Sequence, residues 1–177
     1  MRKTFVSLLT IGLAVSLAAA GQTTGNVVNF KTLQTYLPKI DLAGFTKGKV
    51  EGSSSTMMGM STSEASLRYR KESGDETISI EVKIVDGAGT PFLSMGAAMM
   101  GMTQFSNETE NGYEKSVKYQ GFSGTEKVEK GEGANAEITL FVANRFVVTL
   151  EANGTGDIAL LKKLLDSMNL GELVKAK

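Results

Sequence analysis

The sequence predicts an α+β domain, a mostly antiparallel sheet packed with helices. Three observations carry this. From Thr77 to Val85, Ile78, Ile80, Val82 and Ile84 alternate strictly with Thr77, Ser79, Glu81 and Lys83, the period-two pattern of a strand with one face on a core and one in water. Short turn signals such as Ser73-Gly74-Asp75, Lys130-Gly131-Glu132-Gly133 and Ala143-Asn144-Arg145 separate neighbouring strands, and tight turns join antiparallel strands. Near the end, Ile158, Leu161, Leu165 and Met168 form one stripe of a helix, with Leu160 and Leu164 beside it.

The elements follow in order. Asn29 is placed to cap a helix over Phe30 to Leu37, which Pro38 ends. A first strand is expected around Phe45 to Ser54, and Gly52 to Thr62 reads as a Ser-rich loop with three methionines. The second strand, Ser63 to Lys71, sends Ala65, Leu67 and Tyr69 inward. After Thr77 to Val85, Asp86-Gly87-Ala88-Gly89 breaks the chain. Thr90-Pro91 then opens a helix to about Gln104, with Pro at a position where its missing N–H costs nothing. Asn111-Gly112 begins a strand pair through Tyr113, Lys115, Val117 and Tyr119, then Phe122 and Thr125 to Lys130. Ala136 to Val142 and Phe146 to Leu150 form another pair, and Asp157 caps a last helix that Gly171 is expected to stop.

The start of the chain has a different character. Arg2 and Lys3 precede an apolar run from Thr4 to Leu17, and Ala18-Ala19-Ala20 follows. This is the layout of a cleavable secretory signal peptide. The organisation expected is a signal peptide over 1–20, a flexible leader over 21–29 and a single domain over 30–177. The protein is then expected to be periplasmic, or fully secreted, and to keep no membrane anchor after cleavage. Without cysteine there is no site for a lipid anchor.

Composition narrows the chemistry. Basic and acidic residues balance at 19 each, so no basic face suggests nucleic acid. The chain has no His, no Cys and no Trp. That removes the Ser-His-Asp triad, the Cys nucleophile and nearly every zinc site. Candidate carboxylates are Glu64, Glu72, Asp75, Asp86 and Asp157. Asp86 is best explained as a turn-initiating residue, and the sequence shows no partner for it of the kind a glycosidase would need. The run Glu126, Lys127, Glu129, Lys130 reads as a solvated strand edge. The expectation is a non-enzymatic protein with no cofactor.

The order of elements resembles the Mog1/PsbP-like α/β sandwich. Leu37-Pro38 to Gly44-Phe45, Ile84-Val85-Asp86, Asn111-Gly112-Tyr113 and Asn144-Arg145-Phe146-Val147-Val148 resemble small exported bacterial proteins. These motifs are turns, core positions and edges. The resemblance implies a fold and carries over no catalytic or ligand residue.

Methionine is the unusual feature. Met57, Met58 and Met60 form one cluster, and Met95, Met99, Met100 and Met102 another. Met95, Met99 and Met102 share a helix face with Phe92, which is first of all a packing stripe. The alternative is a soft-metal site: thioethers suit Cu(I), and Met57 or Met60 could join those three. The opposite side of that helix holds Leu93, Ala97, Met100 and Gly101 and no charge. A helix apolar all round is covered on both sides, so these residues, with Met58, are expected at an interface. Its candidates are the C-terminal helix, another copy of the chain or a client protein. A protein-interaction or ligand-binding surface is therefore the leading expectation, and a Cu(I) or small apolar ligand carrier the alternative.

Overall fold

A computed structural model describes residues 26–57, 60–74, 76–88 and 104–177. Within them the chain forms one nine-stranded, wholly antiparallel sheet and three short helices. The strands are β1 (Thr46–Lys47), β2 (Glu51–Met57), β3 (Met60–Ser73), β4 (Glu76–Asp86), β5 (Ser106–Thr109), β6 (Gly112–Tyr119), β7 (Phe122–Glu129), β8 (Asn135–Val142) and β9 (Phe146–Asn153). The helices are α1 (Phe30–Gln34), α2 (Ile158–Asp166) and α3 (Leu170–Leu173). Across the sheet the order is β1-β3-β4-β9-β8-β7-β6-β5, with β2 also on β3. The α+β class is as expected. Among the described residues no helix is long and apolar enough to cross a membrane.

The core follows from the alternation. Leu67 and Tyr69 of β3, Ile80, Val82 and Ile84 of β4, Val148 and Leu150 of β9, and Ile138 and Leu140 of β8 are all buried. Both long-range helical contributions land on this face. Leu33 of α1 and Leu161, Leu164 and Leu165 of α2 join the same cluster. The other face carries the polar half of each strand, with Arg68 bonded to Glu81 at 3.1 Å. Among the described residues the helices lie on the apolar face of the sheet, the arrangement that buries one side of an amphipathic sheet.

Local chemistry sets the helix ends. The Asn29 side chain accepts from Lys31 N, and the Asp157 side chain from Ala159 N, each satisfying a free donor of a first helical turn. The turn between β8 and β9 is made by Ala143 and Asn144, at φ 54° and 52°. Two positive φ values suit the right-handed twist of a hairpin.

Four expectations need correction. The strand around Phe45 to Ser54 is broken: β1 and β2 lie along the same side of β3, separated by residues 48–50. The Ser-rich stretch from Gly52 to Thr62 is not a loop but the β2–β3 hairpin. Cross-strand hydroxyls pair there, Ser54 with Ser63 and Thr56 with Ser61, each at 2.9 Å. Gly171 does not stop the last helix. α2 ends at Asp166, with Ser167 as its C-cap, and Gly171 lies inside α3. Finally, α1 stops at Gln34, with Thr35 as its C-cap, and does not run to Leu37; β5, which the sequence did not signal, has all four side chains exposed. The helix expected from Pro91 and the signal peptide expected over 1–20 lie outside the described residues.

The junction of α2 and α3 is held from the sheet. Gln120, in the β6–β7 turn at φ 49°, donates through Nε2 to the carbonyls of Leu165 and Met168, each at 3.0 Å. Its Oε1 accepts from Leu170 N at 3.2 Å. One side chain thus serves the carbonyls of Leu165 and Met168, on either side of the α2 C-cap, and the first N–H of α3, which has no intrahelical partner. Gln120→Ala is expected to cost about 1–3 kcal/mol and to accelerate amide exchange at Leu170. An unchanged urea midpoint and unchanged exchange would show the clamp to be idle.

Candidate functional site

Two places concentrate chemistry. The first was misread in sequence. Glu126 is not part of a solvated edge. It is completely buried, because on β7 it shares its side with Gly124 and Val128, both inward. Gly124 leaves no room beside it, since a Cβ there would stand 1.9 Å from the Thr139 carbonyl oxygen.

Four donors converge on the Glu126 carboxylate. Oε1 accepts from Tyr113 Oη at 2.6 Å and lies 3.3 Å from Lys115 Nζ. Oε2 accepts from Tyr119 Oη and lies 3.1 Å from Lys162 Nζ. Tyr113, Lys115 and Tyr119 come from alternate positions of β6, and Lys162 reaches over from α2. Lys115 also lies over the Tyr113 ring, at 4.7 Å from its centroid. Two ammonium groups around one carboxylate leave the cluster with a net positive charge, and both lysines remain partly open to water.

The electrostatics set what this cluster can do. Burial works against the charged carboxylate, but the bonds from Tyr113, Tyr119 and Lys162 and the Lys162 charge outweigh it, holding Glu126 at about 2. Burial and the bond to Glu126 push Tyr113 up to about 12, and the same two causes raise Tyr119. Lys162 is also raised: burial opposes its charge, but its bonds to Tyr119 and Glu126 win. Each group is thereby locked in one protonation state around neutral pH. Proton-transfer catalysis needs a group poised near the working pH. The cluster instead clamps α2 to β6 and β7.

Asp86 anchors a second clamp. Its Oδ2 accepts from Val28 N at 2.6 Å and from Arg145 Nη2 at 2.7 Å. Its Oδ1 accepts from Ala88 N at 3.0 Å and from Arg145 Nε at 2.9 Å. The bond to Ala88, two residues on, is the Asx-type turn bond the sequence implied. The paired guanidinium and the Val28 amide are long-range additions. Arg145 Nη2 also donates to Asn26 O at 3.0 Å. The clamp ties residues 26–28 to the end of β4 and the β8–β9 turn. The other candidate carboxylates do not gather: Asp157 caps α2, Glu64 accepts from Ser53, Glu72 is exposed at the far end of β3, and Asp75 lies outside the described residues.

The second place is the tip of the β2–β3 hairpin. Met57 pairs across from Met60, and they are 70% and 40% exposed. Both sit on the polar face of the sheet, level with Ser55 and Thr62 in the alternation. Of the other residues expected at a metal site or an interface, Met58, Leu93, Met95, Ala97, Met99, Met100, Gly101 and Met102 lie outside the described residues. Open grooves of about 390 Å³, beside Asn107, Tyr113 and Lys127, and about 520 Å³, beside Gly48, Arg68 and Lys71, flank the sheet edges. Among the described residues, no three carboxylates come together as metal ligands.

Sequence reasoning missed Glu126 because it weighed the charges as a run. The available signal was parity: Glu126 shares its side of the strand with Val128 and Phe122, opposite a strand whose same side carries Tyr113 and Tyr119. Comparison with family models, with curated proteins and with solved structures finds no match for this chain.

Proposed function

We propose that this protein is exported by a signal peptide over residues 1–20 and acts in the periplasm as a non-enzymatic, Mog1/PsbP-like sandwich with a protein-interaction surface. The observation that carries this is the pair of exposed methionines, Met57 and Met60, on the tip of a polar ribbon. Thioether side chains are flexible and polarizable, and surfaces built from them adapt to varied apolar partners. Elsewhere the described buried side chains have their hydrogen bonds met, and the two buried carboxylates are spent on clamps. The partner expected is a protein presenting an apolar surface. Proximity crosslinking through a photoreactive side chain at residue 55 tests this: Met57→Lys with Met60→Lys is expected to cut crosslinked partner at least tenfold. An unchanged crosslinking pattern overturns the proposal.

The register of Met57 on Met60 also favours a second reading, a Cu(I) carrier. Directly opposed cross-strand residues have Cβ atoms about 5 Å apart, close enough for two thioethers to share a soft ion. In the same set of variants, Met57→Leu with Met60→Leu keeps the apolar contact and removes both sulfurs. If Cu(I) binding against a competing chelator is unchanged, this pair is not the ligand.

A further inference from the structure

An open sheet has two edges, and here they are unequal. On one side β5 is four residues long and carries Glu108. Shortness and charge are how native edges avoid pairing with other chains. On the other side β2 is seven residues long, and Gly52-Ser53-Ser54-Ser55-Thr56-Met57 carries no charge and no proline. All of its residues except Gly52 are exposed. It pairs with β3 on one side, and among the described residues no strand pairs with the other.

We propose that this edge is the dimer interface of the protein, with β2 of one copy pairing antiparallel to β2 of a second. The sequence of the strand is complementary to itself. A two-fold axis at Ser54 sets Ser53 opposite the partner's Ser55, Gly52 opposite the partner's Thr56, and Glu51 opposite the partner's Met57. No like charges meet, and the only charged side chain in the strand faces a methionine. Hydroxyl pairing already zips the inner side of the same strand, through Ser54 to Ser63 and Thr56 to Ser61. Small hydroxyl side chains let the same arrangement repeat outward. The result is a continuous sheet through both copies, with isologous contacts that close on themselves. Main-chain pairing of one strand buries less than the roughly 1,200 Å² of a standard interface, so the association is concentration dependent.

Sedimentation equilibrium of the purified chain tests this. Dimer is expected to accumulate with concentration, and a single monomeric species up to about 1 mM, the affinity of a minimal contact, overturns the proposal. The register is tested by two double variants at exposed positions, which leave the monomer's core untouched. Ser53→Lys with Ser55→Lys opposes like charges twice and is expected to weaken association about tenfold or more. Ser53→Lys with Ser55→Glu opposes unlike charges and is expected to associate at least as well as the parent. Equal association of the two variants, with circular dichroism showing both folded, overturns the proposed pairing. The dimer is told apart from partner capture at the methionine tip by Met60→Lys alone: Met60 lies on β3, outside the paired edge, so this change is expected to reduce partner capture and leave dimerisation as in the parent.

Discussion

Glu126→Ala is expected to destabilise the fold by about 2–4 kcal/mol. The substitution leaves two tyrosine hydroxyls and two lysines without the carboxylate that joins them. Truncating one member of a buried charge network costs about 3–5 kcal/mol when its partners stay buried. Here Lys115 and Lys162 are 41% and 38% exposed, so they can turn to water, which places the cost lower. Glu126→Gln keeps the shape but aims an amide N–H₂ at a donor, so it recovers only part of the loss. Urea unfolding followed by circular dichroism measures both, and a midpoint unchanged in Glu126→Ala would show the cluster to be ornamental.

The same residue sets an acid limit. The folded pKa of Glu126, about 2, lies below the ordinary 4.5. A depressed carboxyl contributes stability that is fully present above about 4.5 and is lost as pH falls through about 2. The contribution is about 3 kcal/mol by linkage. Unfolding free energy of the parent is therefore expected to fall across this window, and more steeply than that of Glu126→Gln. Parallel pH profiles would contradict the assignment. At alkaline pH the sign reverses. Tyr113, raised to about 12, contributes stability that is present below 10 and lost as pH climbs through 12.

Arg145→Ala is the second large effect, expected at about 3–5 kcal/mol. Asp86 has no exposed surface, so removing the guanidinium leaves a buried carboxylate with only the amides of Val28 and Ala88. For a domain of this size the loss lowers Tm by about 6–20 °C. Exchanging the charges, Asp86→Arg with Arg145→Asp, is expected not to restore stability. Two backbone N–H groups point at position 86 and need an acceptor there, and an arginine offers none. Hydrogen exchange at Val28 reports directly on whether residues 26–28 come free. Full recovery in the exchanged variant would mean that the ion pair alone, and not the backbone donors, holds this end of the sheet.

Much of the framework was legible before any tertiary contact was known. The strand at Thr77 to Val85, the pair over Ala136 to Leu150, the Asn29 and Asp157 caps and the turn at Asn144 all express interactions within a few residues. Period-two alternation reports a single nearby surface, and a cap is a bond between residues two or three apart. The β2–β3 hairpin escaped because Ser53 to Thr56 contains no apolar residue to alternate. Its register comes from hydroxyl pairs on the next strand. β5 escaped for a related reason, since it is held by main-chain pairing to β6 with no buried side chain.

By itself, then, the sequence determined an α+β chain with an amphipathic antiparallel sheet, no histidine or cysteine chemistry, and methionines as its only soft donors. Those follow from composition and from local periodicity. Alternation sets Glu126 on the side of Val128, but only tertiary structure decided that a carboxylate can stay buried there, because its partners lie 7, 11, 13 and 36 residues away on other elements. It alone decided that Asp86 meets Arg145 across 59 residues, and that β2 forms one margin of the sheet. Which partners meet a buried charge, and which strand ends at an edge, depend on how distant segments share one core, and no local pattern encodes that.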